Sequence, residues 1–368
     1  MRTFAVGYLV LAAPALQAGI YSAAEPSGMR SGPDGRLVEL PYVPAFKAFL
    51  EERLNAANPA TPDRVNGINT FRGLLKQRVE APPAGRLTVP EQVARAVDLI
   101  RIGRAADAVN LLEARTRDRD PDFVAVVTLA HAYAAKGDWG EAVRCHSLAV
   151  FDAQPPTQLP GVLPELTKRY VEIEKTHYPR WLQLRQRESG QREGLSEQDV
   201  LPLFGPTAQD PAQTPVKWVN EAVRYEPGKL AASERAKLPP DAVAVVQQLL
   251  LWSPDDTRLL WLLAELYAAN GQLREADQVF DQCTWGRNFT NRKLLMDHRA
   301  VVRDLVAALP AETADILPDD GPVENPDLRD AEQWAELRPQ LLVGASILFI
   351  LASGLIGLTI RSAIRRKL

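Results

Sequence analysis

Four histidines, two cysteines and one pair of adjacent aspartates are the side chains in this 368-residue sequence whose types most invite a chemical role. His131, Cys145 and His146 lie close enough along the chain to suggest a soft-metal cluster. His177 and His298 have no acidic or Cys partner at ligand spacing. Cys145 and Cys283 stand far apart in sequence and read as small buried hydrophobes. Asp255-Asp256 precedes an apolar run and reads as a helix cap rather than paired catalytic carboxylates. No G-x-S-x-G, Walker-type glycine loop, H-E-x-x-H or C-x-x-C occurs. The expectation is a protein without a catalytic residue, a metal site or a cofactor, and not an enzyme.

Composition narrows the class further. A net charge of −3 leaves no basic footprint for nucleic acid. An apolar fraction of 46% is enough to bury a core. The 29 prolines gather between apolar-periodic stretches, which makes the chain a set of helices joined by stiff connectors.

The elements that would position these residues are helical hairpins. Asp122–Gln154 reads as two short helices across a Gly-Asp turn, with Leu129, Ala130 and Tyr133 on the first and Ala142, His146 and Ala149 on the second. Ala96, Gly103 and Ala108 fall 34 residues before Ala130, Gly137 and Ala142, and Pro121 falls 34 before Pro155. Leu263, Ala264, Tyr267, Gly271, Ala276 and Phe280 repeat the pattern downstream. This spacing resembles the tetratricopeptide repeat, a 34-residue helix–turn–helix unit. The resemblance covers roughly 88–154 and 239–284. It implies an all-α solenoid of helical hairpins whose first helices line a protein-binding groove. Transferred position by position, it puts Val124, Val127 and His131 from one unit, and Arg258, Trp261 and Glu265 from the other, on that groove. The same template packs His146 between the two helices, which implies that His131 and His146 point apart and are poor metal ligands. Trp261 is the strongest anchor among them, since aromatic residues dominate interface energetics. The Lys/Asn pattern with which some members clamp a C-terminal carboxylate is absent, with Val127 and His131 at the positions involved.

The two ends supply placement. Arg2, the apolar run Phe4–Leu16 and small residues up to Ala24 read as a signal peptide over 1–24. Gln340–Ile360 is 21 residues without a charge, 12 of them Leu, Ile, Val or Phe. It is long enough to cross a hydrocarbon core of about 30 Å. Arg361, Arg365, Arg366 and Lys367 follow it, while its other flank is net acidic, which places the tail in the cytoplasm. The bulk of the chain is then extracytoplasmic, in the periplasm or cell envelope.

The resulting division is a signal peptide (1–24), an extended segment with capping helices (25–87), repeats with a following helix (88–182), a flexible loop (183–215), a second repeat block with a capping helix (216–309), an acidic stalk (310–338), a transmembrane helix (339–360) and a basic tail (361–368). Within it, 64–79 and 162–178 each read as one helix, and Asp241 reads as a helix cap. The expected function is a membrane-anchored scaffold that binds a protein or peptide partner. Small residues at Gly344, Ser353 and Gly357 allow pairing in the membrane and hence a homo-oligomer. The less favoured readings are an envelope enzyme with accessory repeats and a tail-anchored cytoplasmic adaptor.

Overall fold

Three glycines with left-handed backbones mark where first helices of the hairpins stop: Gly103 (φ 80°), Gly137 (φ 83°) and Gly271 (φ 79°). Without a Cβ, glycine takes this conformation at no steric cost. The computed structural model describes residues 27–31, 37–83, 85–159, 162, 164–190, 200–205, 214–284 and 292–310. The expected signal peptide, transmembrane helix and basic tail lie outside the described residues, as does the stalk beyond Pro310.

Two short antiparallel hairpins stand among the first elements. Met29–Ser31 (β1) pairs with Leu37–Glu39 (β2), and Arg64–Val65 (β3) pairs with Ile68–Asn69 (β4). A π-helical turn at Tyr42–Phe46 leads into Lys47–Ala57 (α1), and Phe71–Glu80 (α2) follows the second hairpin. The first repeat block comprises Val89–Arg101 (α3), Ala105–Leu112 (α4), Phe123–Lys136 (α5) and Trp139–Asp152 (α6). Then come Pro164–Thr176 (α7), Tyr178–Ser189 (α8) and a single turn at Ala232–Arg235 (α9). The second block is Ala242–Trp252 (α10), Thr257–Ala269 (α11) and Leu273–Thr284 (α12), with Arg292–Ala308 (α13) after it. The architecture is all-α, a helical-hairpin array.

Capping carboxylates set the starts of the repeat helices. Asp122 accepts from the Ala125 N–H at 2.8 Å, and Asp256 accepts from Arg258 and Leu259 at 2.9 Å. Thr88 and Glu91 form a capping box on α3. Asp241 does not cap α10. Its carboxylate pairs with Arg169 of α7 instead.

Every residue of α10 is buried, and so is every residue of α11 after Thr257. A helix apolar all round needs neighbours on every side. The N-terminal segment supplies some of them. Gln248 Oε1 accepts from Gly28 N at 2.9 Å, while Gln247 accepts from Leu40 N at 3.0 Å and donates to Leu40 O at 2.9 Å. On another side, Arg101 at the end of α3 donates to Leu251 O at 2.7 Å. The two repeat blocks thus meet across α10.

Two connecting stretches differ from expectation. The helix expected over 64–79 starts only at Phe71, because Asn66 (φ 51°) and Gly67 (φ 80°) turn the chain into β3–β4. Asn-Gly is a strong hairpin-turn signal, and it overrode helical spacing in Ile68 and Phe71. The helix expected over 162–178 is present as α7, Pro164–Thr176, and a second helix follows it directly. The second, α8, runs through the start of the expected flexible loop and buries Trp181, Leu182 and Leu184. Further along that loop, Val200, Leu201, Leu203 and Phe204 are also buried, so apolar anchors hold this stretch down.

Gly73 lets β3–β4 sit against α2. A Cβ there would lie 1.9 Å from the Asp63 carbonyl oxygen, where Thr70 N also donates at 3.0 Å. Gly73→Ala is therefore expected to lower stability by about 1–3 kcal/mol, the usual cost of overpacking. Chemical denaturation measures it, and an unchanged midpoint would contradict the close approach.

Candidate functional site

Two of the histidines converge after all. His131 on α5 donates from Nε2 to Glu174 Oε1 at 2.8 Å, and His146 on α6 donates from Nε2 to Glu174 Oε2 at 3.0 Å. An ionised carboxylate only accepts, so both imidazoles carry their proton on Nε2. All three side chains are buried, Glu174 completely. The expectation that His131 and His146 point apart is corrected by α7, which brings one carboxylate into the space between them. Burial alone would raise the Glu174 carboxyl, but the two imidazoles override it and hold it at about 2. For His131, burial outweighs the pull of Glu174 and lowers the imidazole below its ordinary value. Aromatic rings close the site. Tyr178 of α8 stacks on His131 with ring centroids 4.1 Å apart, and Trp252 meets the same imidazole edge-on at 5.3 Å.

The second block carries a related site. Glu265 of α11 lies six residues before Gly271, as His131 lies six before Gly137. Its Oε1 accepts from Trp261 Nε1 at 3.1 Å and from His298 Nδ1 of α13. Tyr225 stacks flat on His298 with centroids 3.5 Å apart. Burial, followed by the charge of Glu265, pushes the Tyr225 hydroxyl up. His298 therefore does have an acidic partner, contrary to expectation, and it comes from a different helix.

These contacts decide where the expected groove residues stand. Val127, His131, Arg258, Trp261 and Glu265 are all buried, and Val124 is half-buried. His131 is covered by α7, α8 and Trp252. Trp261 and Glu265 are covered by α13 and Tyr225. Arg258 lies 3.6 Å from Glu188 of α8. The first-helix face is thus occupied by other segments of the chain itself. Sequence reasoning missed Glu174, though it shares a helical face with Tyr170, Ile173 and His177. An acid inside such an i, i+3, i+4, i+7 set is the signal that could have found it.

Asp256 joins the α7–α8 pair to the second block. Besides capping α11, its Oδ2 accepts from Trp181 Nε1 at 2.9 Å and faces Arg185 at 3.2 Å. Cys145 and Cys283 are free and buried. Burial pushes the Cys145 thiol up to about 11 and the Cys283 thiol well above its ordinary value, so neither is an activated nucleophile. Among the described residues, no group of three or more His, Cys, Asp or Glu is arranged to hold a metal ion. A cleft of about 550 Å³ opens between α2, α3 and α4, lined by Val79, Arg95, Leu99, Arg104 and Asn110 among others.

The helical hairpins, the glycine stops and the capping aspartates share one template. The family model for the tetratricopeptide repeat matches residues 235–283, which contain α10, α11 and nearly all of α12. The chain carries a tetratricopeptide repeat over this stretch. No curated protein and no solved structure matches it. Repeats of this kind serve generally as protein-interaction modules, and the first-block hairpins α3–α4 and α5–α6 extend the same architecture in this repeat protein.

Proposed function

We propose that this repeat protein is a membrane-anchored, extracytoplasmic scaffold that binds another protein or peptide in the cell envelope, and that it is not an enzyme. The observation that carries the binding role is the repeat itself, matched over 235–283. A non-catalytic role is supported by the use of its buried histidines and acids, which bond to one another across helices rather than into an open cavity. The face expected to bind is covered, so a partner meets surfaces left open, such as the cleft between α2, α3 and α4, or that face once it is uncovered.

Placement rests on the ends. Gln340–Ile360 is an apolar run of spanning length with a basic cluster after it. Among the described residues, no helix is long and apolar enough to cross a membrane, and this run lies outside them. Reporter fusions test the topology. A periplasmic-active reporter inserted near residue 200 is expected to be active, and one fused after Leu368 inactive. A cytoplasmic reading at residue 200 would sink both the signal peptide and the extracytoplasmic placement.

A further inference from the structure

The clasp on Glu174 has two imidazoles and one carboxylate. A proton added to one imidazole completes an ion pair. A proton on the other leaves an excess positive charge in the interior, where it is costly. The surrounding groups do not relieve this. Arg101 of α3 is a second cation acting against the charging of His131. Cys145 of α6 is held neutral by burial, as is Tyr178 of α8, with Glu174 adding to the effect on Tyr178. Trp252 of α10 and Tyr170 of α7 line the same space without an acid. In the closed arrangement at least one imidazole must therefore remain neutral.

We propose that α7 and α8 form an acid-released lid over the first-helix face of α5, held shut by His131, His146 and Glu174. Once the lid lifts, His131 faces water and titrates near the ordinary imidazole value of about 6.5. Lifting takes up at least one proton, so it becomes easier as pH falls. The sign follows from linkage. A group whose value is lowered in the closed form stabilises that form above its free value and loses this as pH drops. The lid stays tethered to the second block through Trp181, Arg185 and Arg169, so what opens is its contact with α5 and α6.

The second block is an internal comparison. Glu265 faces a single imidazole, His298, so no second imidazole shares its carboxylate. Acid is not expected to release α13.

Hydrogen exchange on the full chain in detergent micelles, at pH 7.5, 6.5 and 5.5 and corrected for intrinsic rates, tests the lid. Protection of residues 164–189 is expected to fall about tenfold per pH unit below about 6.5, while residues 257–284 keep theirs. Constant protection in 164–189, or an equal fall in 257–284, would overturn the proposal. His146→Gln keeps an N–H donor for Glu174 but leaves a single imidazole on that carboxylate, and is expected to flatten the slope. A full slope in a folded H131Q/H146Q variant would also overturn it, and if that variant does not fold, the comparison of the two segments in the native chain decides. The lid bears on the scaffold reading only through the face it covers. The exchange experiment reads the lid without any partner, so the lid and the scaffold can fail separately.

Discussion

Glu174→Ala is expected to destabilise the protein by about 3–5 kcal/mol at neutral pH, the range for removing one partner of a buried charged cluster. The substitution leaves two Nε2–H donors facing each other with no acceptor between them. It also opens a void beneath the His131–Tyr178 stack. Glu174→Gln is expected to cost less, because the amide oxygen still accepts from one imidazole while its NH₂ meets the other only if that ring changes tautomer. Urea denaturation of the three proteins at pH 7.5 ranks them. The carboxyl is held at about 2, far below its ordinary range, so its contribution is complete above about 4.5 and is lost as pH falls toward 2. The gap between native protein and Glu174→Ala should therefore narrow across that window. A gap under about 1 kcal/mol at pH 7.5 would mean the clasp adds little beyond an ordinary hydrogen bond.

What the sequence made legible follows the range of the interactions involved. Gly103, Gly137 and Gly271 stop their helices through local backbone geometry, which a single residue type announces. Asp256 announces a cap in the same local way, and the cap is there. The pairings that fill the first-helix face are long-range. His131 meets Glu174 across 43 residues, and Glu265 meets His298 across 33. The repeat template describes a hairpin and its neighbours and says nothing of a helix folding back over the face. It therefore left Val127, His131 and Trp261 looking like a surface. The hint lay in the polar residues. His131 and Glu265 occupy one repeat position with opposite chemistry, inside otherwise apolar runs, and a buried polar group needs a partner. Asn66-Gly67 shows the reverse case, where a local signal was available and helical spacing concealed it.

Trp261 separates the two ways of reading this face. Were it a groove anchor, Trp261→Ala would leave stability alone and weaken only partner binding. The side chain is instead fully buried, with its ring near His298 and its Nε1–H on Glu265 at 3.1 Å. Trp261→Ala is expected to cost about 3–5 kcal/mol, the range for truncating a core aromatic. The melting temperature should drop on the order of 10 °C for a folded region of this size. Trp261→Phe keeps most of the volume and removes one donor from Glu265, so it is expected to cost about 1–3 kcal/mol. Calorimetry on both variants reads the difference. An unchanged melting temperature for Trp261→Ala would mean that α13 and Tyr225 do not cover this position in solution, and the groove would then be open. The predicted losses would mean that the repeat's customary binding face serves in this block as an internal interface. Its two polar residues, Glu265 and His298, then act to fix α13 in register on α11, since any other register leaves a carboxylate without a partner in that interior, at a high cost.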